Sequence, residues 1–348
     1  MKALAIGISA LALSVLGCSS QAVGTVASAP LAPTGFARPN TLGTWTTFSL
    51  GSHAVLGGQS IARGFDRGMW ICDNASVDRV DTSGNVTSVA VPSCSDITRD
   101  PNGNLYFKTP TTFNQIGRIN NLGQVSYVTL NDHLAIGLMV ADSTGALWTK
   151  GGSDIAKVDP RRGTVASKGL VFPPGVGGVV DNFVEGSDSR MWFNCYTSSS
   201  QCLGVISLDL SSYTIWLLPE VSNPIAGSDG GIWFSEGTAI ARMDPITETL
   251  TTYPLKHPIH AACFVENTIQ CSSGSATSTG QIAFIDKARD LVIFNIHNHS
   301  VTIRSALPND ADSSTADLVT GVDRNLWTQG GVTCFGCAGT SLDDFAVH

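Results

Sequence analysis

Over most of its length the chain alternates apolar and polar residues in short runs, each cut by Gly, Asp, Asn or Pro. SVDRVDTSGNV, QIGRINNLGQV, DIAKVDPRRGTV and AIARMDPITETL share one shape, an apolar alternation leading into a turn. Successive side chains of a strand point to opposite faces, so a period of two marks half-buried strands and the interrupting residues supply the turns. No stretch keeps a helical period for more than about ten residues. The pattern predicts an all-β chain.

The alternation is itself periodic. Aligned on an aromatic anchor, the copies are RGMWIC (67–72), GNLYFK (103–108), GALWTK (145–150), SRMWFN (189–194), GGIWFS (230–235), NTIQCS (267–272) and RNLWTQ (324–329), with anchors 36 to 57 residues apart. That spacing belongs to propeller blades. After each anchor comes a second alternation and then a third, as in VTSVAVP, VSYVTL, YTIWLLP, LTTYPL and LVIFNI. Each unit reads as a four-stranded antiparallel sheet with two apolar faces, which only neighbouring units can cover. The last copy ends at SLDDFAVH with no fourth strand, and TWTTFSL (44–50) resembles the missing one. The expectation is a seven-bladed β-propeller of four-stranded antiparallel blades over residues 41–348, closed by an N-terminal strand that completes the last blade and removes an exposed edge.

The N-terminus adds a compartment. MKALAIGISALALSVLGCSS carries one Lys and an apolar run from Ala3 to Leu16, then Gly17-Cys18. A run of this length and flank is a secretory signal rather than a span. Its VLGC ending resembles a bacterial lipobox, with residues 1–17 removed and Cys18 lipidated. Residues 18–40, small, Pro-bearing and nearly uncharged, read as a flexible tether. The expected location is the bacterial cell envelope, with the lipid as the sole membrane contact.

Of nine cysteines, Cys18 is assigned to lipid, leaving an even number in an exported chain, which suggests disulfides. The local pairings are Cys195–Cys202, Cys263–Cys271 and Cys334–Cys337, leaving Cys72–Cys94. CFGC (334–337) lacks the βαβ context of a redox motif and the second CxxC of a zinc site, so a staple is the preferred reading. The net charge of −8 and the absence of a basic cluster argue against a nucleic-acid partner. A monomer is expected.

GSDGGIWFSEGTAIARMDPITETLTTYPL (227–255) and DPNGNLYFKT…NQIGRINNLGQVSYVTL (100–130) resemble the repeat of the streptogramin B lyases (virginiamycin B lyase). The resemblance implies a propeller, and a carbon–oxygen lyase that opens a cyclic depsipeptide, or a related ester or lactone, by elimination. Such a reaction needs a base for the proton α to the carbonyl and a cation, here Mg²⁺, to polarise the ester. The family's base is a His opening an innermost strand, and its cation is held by carboxylates, one of them ending a Trp-centred strand. The base-equivalent positions of this chain are Gln59, Ser95, Gly137, Asp181, Ser222, Ile259 and Ala316, none of them His. The carboxylate-equivalent positions are Asp73, Thr109, Gly151, Cys195, Glu236, Ser273 and Gly330, with acids only at Asp73 and Glu236. Carried over residue by residue, Glu236 is the candidate metal ligand and a candidate catalytic residue, and His260, one residue past Ile259, the substitute base. Asp73, Asp181, Ser222 and His257 are candidate ligand-binding positions.

Other features read as structure. His297 and His299 in NIHNHS have metal-ligand spacing, but they are expected on an outermost strand, three inter-strand steps from His260 and too far to share an ion. Asp100-Pro-Asn102-Gly-Asn104 looks like the start of a calcium loop but lacks its closing Glu, and turn chemistry explains it. The anchor Trp residues belong to the core between blades. No GxSxG stretch occurs. With every family His missing, the favoured function is binding of a small molecule, glycan or protein through the central channel face, with the Mg²⁺-dependent lyase as the alternative.

Overall fold

The computed structural model describes residues 45–50, 61–73, 75–112, 114–132, 138–172, 178–221, 224–236, 239–254, 275–277, 280–285, 290–306, 318–320, 326–330 and 341–345. Every regular element among them is a β-strand, and the strands assort into four-stranded antiparallel sheets. The first sheet holds Ile61–Arg63, Met69–Asp73, Ser76–Val80 and Val86–Ala90; the second Ile97–Arg99, Leu105–Lys108, Gln115–Ile119 and Val125–Thr129. The third holds Met139–Ala141, Leu147–Gly151, Asp154–Asp159 and Thr164–Gly169; the fourth Gly178–Glu185, Arg190–Thr197, Gln201–Ser207 and Tyr213–Leu218. The fifth holds Ile225–Ala226, Ile232–Glu236, Ala239–Met243 and Leu250–Pro254; the sixth Ser275–Thr277, Gln281–Ile285, Asp290–Asn295 and Val301–Ala306. In the last sheet Leu318–Thr320, Leu326–Gly330 and Ser341–Phe345 are joined by Trp45–Ser49, which pairs antiparallel with Ser341–Phe345. The short first strands lie side by side. Ile61–Arg63 touches Ile97–Arg99, which touches Met139–Ala141, while Leu318–Thr320 touches both Ser275–Thr277 and Ile61–Arg63.

Burial grades outward within a sheet. The second strands Leu105–Lys108 and Met69–Asp73 are almost wholly buried, the third strands mix buried and half-buried positions, and the fourth strands Val86–Ala90 and Val125–Thr129 are largely exposed. The core therefore runs between sheets along their second and third strands, where Trp148, Trp192, Trp233, Phe107 and Phe193 are buried. Each core tryptophan is pinned by its turn. Trp70, Trp148, Trp192 and Trp233 donate Nε1–H to Asp66, Asp142, Asp188 and Asp229 at 3.0, 2.9, 3.2 and 2.9 Å. The same carboxylates take a cation from the sheet: Arg242 Nε donates to Asp229 at 2.7 Å, and Lys157 Nζ lies 3.2 Å from Asp142. A buried indole keeps its polar handle satisfied in this way. The Asp100 turn behaves likewise, its carboxylate accepting Asn104 N–H and Asn104 Nδ2–H at 2.8 Å each.

Neighbouring sheets also lock through backbone. Gly163 has φ +68° and its carbonyl accepts the Asn131 N–H at 2.9 Å, while a Cβ on it would meet the Thr129 carbonyl oxygen at 2.1 Å. Only glycine combines that conformation with that approach. Two of the expected disulfides lie among the described residues. Cys72–Cys94 joins the second strand of the first sheet to the segment leading into the second sheet, and Cys195–Cys202 links register partners in one hairpin. Cys263, Cys271, Cys334, Cys337 and Cys18 lie outside the described residues.

One copy of the repeat is placed differently from the expectation. The second strand of the sixth sheet is Gln281–Ile285, not the anchor at 267–272, and LVIFNI supplies the third strand rather than the outermost. Ile282 stands opposite Ala276 in the register that Trp70 and Trp148 hold opposite Ala62 and Val140. Without an aromatic at that position the strand is silent to an aromatic-anchored alignment.

Candidate functional site

At one end of the first strands, three consecutive sheets bring charged side chains together. Lys108 and Lys150 occupy equivalent positions, each two residues past the anchor aromatic and therefore in its inward phase. Lys108 is buried at 6% exposure, and its Nζ has no hydrogen-bond partner among the described residues. Asp96, just ahead of Ile97–Arg99, lies 4.0 Å from that Nζ and accepts Ser95 Oγ–H at 3.2 Å. Lys150 donates to Asp181, which also accepts Tyr196 Oη–H at 3.2 Å, and Tyr196 Oη accepts Asn194 Nδ2–H at 3.0 Å. The polar side chains thus run from Ser95 and Asp96 through Lys108 and Lys150 to Asp181, Tyr196 and Asn194.

Asp181 is delivered by a bulge. The register of Gly178–Glu185 against Arg190–Thr197 shifts between Val180 and Phe183, and the unmatched Asp181 and Asn182 are both buried. A bulge bends its strand and re-aims side chains, which breaks the alternation that would otherwise set this face.

Burial dominates the electrostatics. It pushes the Lys108 ammonium down to about 8, against the opposing pull of Asp96 and with the help of Lys150. It pushes the Asp96 carboxyl up, and Lys108, Ser95 and Lys150 only partly offset this. The unfolded chain holds its Lys108 proton to pH about 10.5 and the folded chain only to about 8. Between those values the unfolded state binds more protons, so stability contributed at this position rises with pH. The stability of the wild type minus that of Lys108→Met, read by denaturant unfolding, is expected to stay flat below pH 8 and to climb from there towards 10.5. A difference that stays flat or falls across that interval would refute the depressed lysine.

The sequence-derived candidates divide. Asp181 joins the cluster. Glu236 ends Ile232–Glu236 opposite Ala239, forms no ion pair among the described residues, and has its carboxyl raised by burial alone. Asp73 takes the matching place in the first sheet, opposite Ser76. Ser222, His257, His260 and Gln59 lie outside the described residues. Among the described residues the first strand of the sixth sheet is Ser275–Thr277. His297 and His299 are corrected. They sit in the turn between Asp290–Asn295 and Val301–Ala306, with His299 at φ 57° and its ring 4.2 Å from that of Tyr253. A turn, not an outermost strand, carries them.

Among the described residues no three His, Cys, Asp or Glu side chains gather as a metal would require. Mg²⁺ favours one or two carboxylates with ordered waters. Glu236 belongs to no such group among the described residues, so these do not compose the set that the resemblance implies.

Lys108, Lys150, Asp96, Tyr196 and Asn194 were not among the candidates. Their signal was present: LYFK and LWTK put a lysine in the buried phase of the anchor strand in two consecutive units. A charge in a core phase is costly unless it is paired or used.

No family model matches the chain, and no curated protein does. Solved structures do. A streptogramin B lyase structure is similar over 86% of this chain and 96% of its own, with 18% identity and a TM-score of 0.65. The extracellular domain of a B. thetaiotaomicron hybrid two component system is similar over 88% of this chain, with 13% identity and a TM-score of 0.61, and this chain spans 43% of that one. YCF48 bound to D1 peptide is similar over 87% of this chain and 95% of its own, with 12% identity and a TM-score of 0.59. At such identities the likeness speaks for architecture alone, and together with the four-stranded antiparallel sheets it makes this chain a β-propeller.

Proposed function

We propose that the chain is an exported, lipid-anchored propeller of seven blades, with Trp45–Ser49 completing the last, that binds a small molecule, glycan or protein at the channel mouth lined by Asp96, Lys108, Lys150 and Asp181. The observation that carries this reading is the lysine pair. Two ammonium groups and two carboxylates from three consecutive sheets meet in a buried setting, with Lys108 Nζ near Asp96 but without a hydrogen bond among the described residues. Such a set is a poor source of stability, since desolvating the charges offsets most of their attraction. Convergent polar groups with perturbed titration in a concave site are what ligand binding uses. Cys72–Cys94 and Cys195–Cys202 support an oxidising compartment, and lipidation of Cys18 would retain the domain at the envelope as a monomer.

Soaking crystals of the mature domain with a library of polar fragments tests the reading. Fragments are expected to concentrate within hydrogen-bond reach of Lys108, Lys150 or Asp181, and to leave that mouth in Asp181→Asn. A fragment map without occupancy there would refute it. The alternative is a lyase acting on a cyclic depsipeptide, and Glu236 favours it: an acid with a raised pKa at the position where the streptogramin lyase resemblance expects one. Incubating the domain with a streptogramin B depsipeptide, with Mg²⁺ or with EDTA, decides this. Elimination leaves the mass unchanged and shifts retention and fragmentation. Substrate recovered intact at high protein concentration removes that activity.

A further inference from the structure

The opposite end of the first strands carries a second concentration of charge, of one sign. Arg63 and Arg99 are the last residues of Ile61–Arg63 and Ile97–Arg99, adjacent strands in contact. They pair with Met69 and Leu105, so they hold equivalent places in successive sheets. In the same register the next sheets offer Ala141, Glu185 and Ala226. The acid in that series is already engaged: Glu185 accepts the Ser143 N–H, and Ser143 Oγ–H at 2.6 Å.

Both arginines are half-buried, and neither has a salt-bridge partner among the described residues. Arg99 Nε is buried without a hydrogen-bond partner. Each guanidinium is pushed below its ordinary range mainly by burial, and Arg63 further by Arg99, whereas Arg99 is partly compensated by Asp100. The Asp100 carboxylate is itself occupied by Asn104 N–H and Asn104 Nδ2–H. The Arg99 Nη2 lies beside Gly103, 3.8 Å from where a Cβ would stand, which puts the guanidinium at the turn-bearing end. Asp96 lies just ahead of the same strand, three residues back and about 10 Å along the backbone towards its other end.

Two guanidinium groups on adjacent strands, partly desolvated and with no acid paired to them among the described residues beyond the already occupied Asp100, make an arrangement that a negative ligand would complete. The planar fork of Arg matches carboxylate and phosphate oxygens two at a time. We infer that Arg63 and Arg99 form an oxyanion-binding site, which takes a small carboxylate- or phosphate-bearing ligand between their guanidinium groups at the channel mouth remote from Lys108.

Calorimetric titration of the mature domain with inorganic phosphate and, separately, with succinate tests this, at an ionic strength held constant with chloride. At least one anion should bind saturably. Arg63→Met and Arg99→Met should each weaken it tenfold or more, and Arg99→Lys, which keeps the charge and loses the fork, several-fold. Arg162→Met, exposed on a turn, should change nothing. Phosphate alone binding identifies a phosphate source, succinate alone a carboxylate source, and both the shared chemistry. If a methionine variant does not fold, the Arg63→Lys and Arg99→Lys variants and the arginine Nε–Hε resonances of the wild type under phosphate carry the same comparison. Neither anion binding, binding unchanged in the variants, or an effect that chloride reproduces would overturn the proposal. Fragment occupancy at Lys108 is independent of each of these results.

Discussion

Trp148→Ala is expected to cost about 4 kcal/mol, a large fraction of the roughly 5–15 kcal/mol by which a folded domain is stable. Trp148 has 0% exposure and packs in the core between the third and fourth sheets with Ile155, Phe183, Met191 and Phe193. Removing the indole leaves a cavity that rigid strands on both sides cannot collapse into. It also strips Asp142 of its Nε1–H donor and Lys157 of the ring 5.1 Å below its ammonium. Asp142 keeps the Thr144 and Ala146 N–H groups at 2.9 Å each and the Lys157 ion pair. Trp148→Phe should therefore recover more than half of the loss by refilling the volume. Chemical denaturation of the three proteins measures both steps. A Trp148→Ala loss below about 1.5 kcal/mol would mean that the sheets repack and that the anchor is not the core contact described here.

Lys150→Met carries the second large effect, and it separates scaffold from site. Asp181, at 4% exposure, would keep the Tyr196 hydroxyl and lose its cation, and breaking a buried pair on one side costs about 3 kcal/mol or more. Replacing both partners, Lys150→Met with Asp181→Leu, should restore most of that stability, because no charge is left stranded. Fragment occupancy at the channel mouth should vanish in both proteins. If the double variant is as stable as wild type and still holds fragments there, the ion pair is only a brace and the proposed binding function loses its basis. If the double variant is no more stable than the single, the pair is not the origin of the cost.

The two effects differ in how much of each could be read beforehand. The Trp positions follow from alternation and spacing, because a propeller buries the same phase of the same strand in every unit. Their Asp partners were visible as turn residues, but that the turn carboxylate reaches back to the indole depends on the third dimension. The sixth unit misled because Ile282 replaces the aromatic. The position is equally buried at 2% exposure, so the packing requirement survives while its most recognisable residue does not. His297 and His299 moved from strand to turn for the same one-strand displacement.

What the sequence determined by itself is the class of object: strands from the period of two, sheets from the repeat, and two disulfide pairings, Cys195–Cys202 from proximity and Cys72–Cys94 as the pair left over. These are local or periodic properties, written in neighbouring residues. What only the tertiary structure decided is which charged side chains meet. Lys150 and Asp181 are 31 positions apart in sequence and belong to different sheets, and Asp181 reaches Lys150 from a bulge that the alternation does not announce. Arg63 and Arg99 share a register only because successive first strands lie side by side. A repeat reports how each unit folds. Coulomb interactions between units depend on distances that are set when the sheets pack, and those distances are absent from any single unit's sequence.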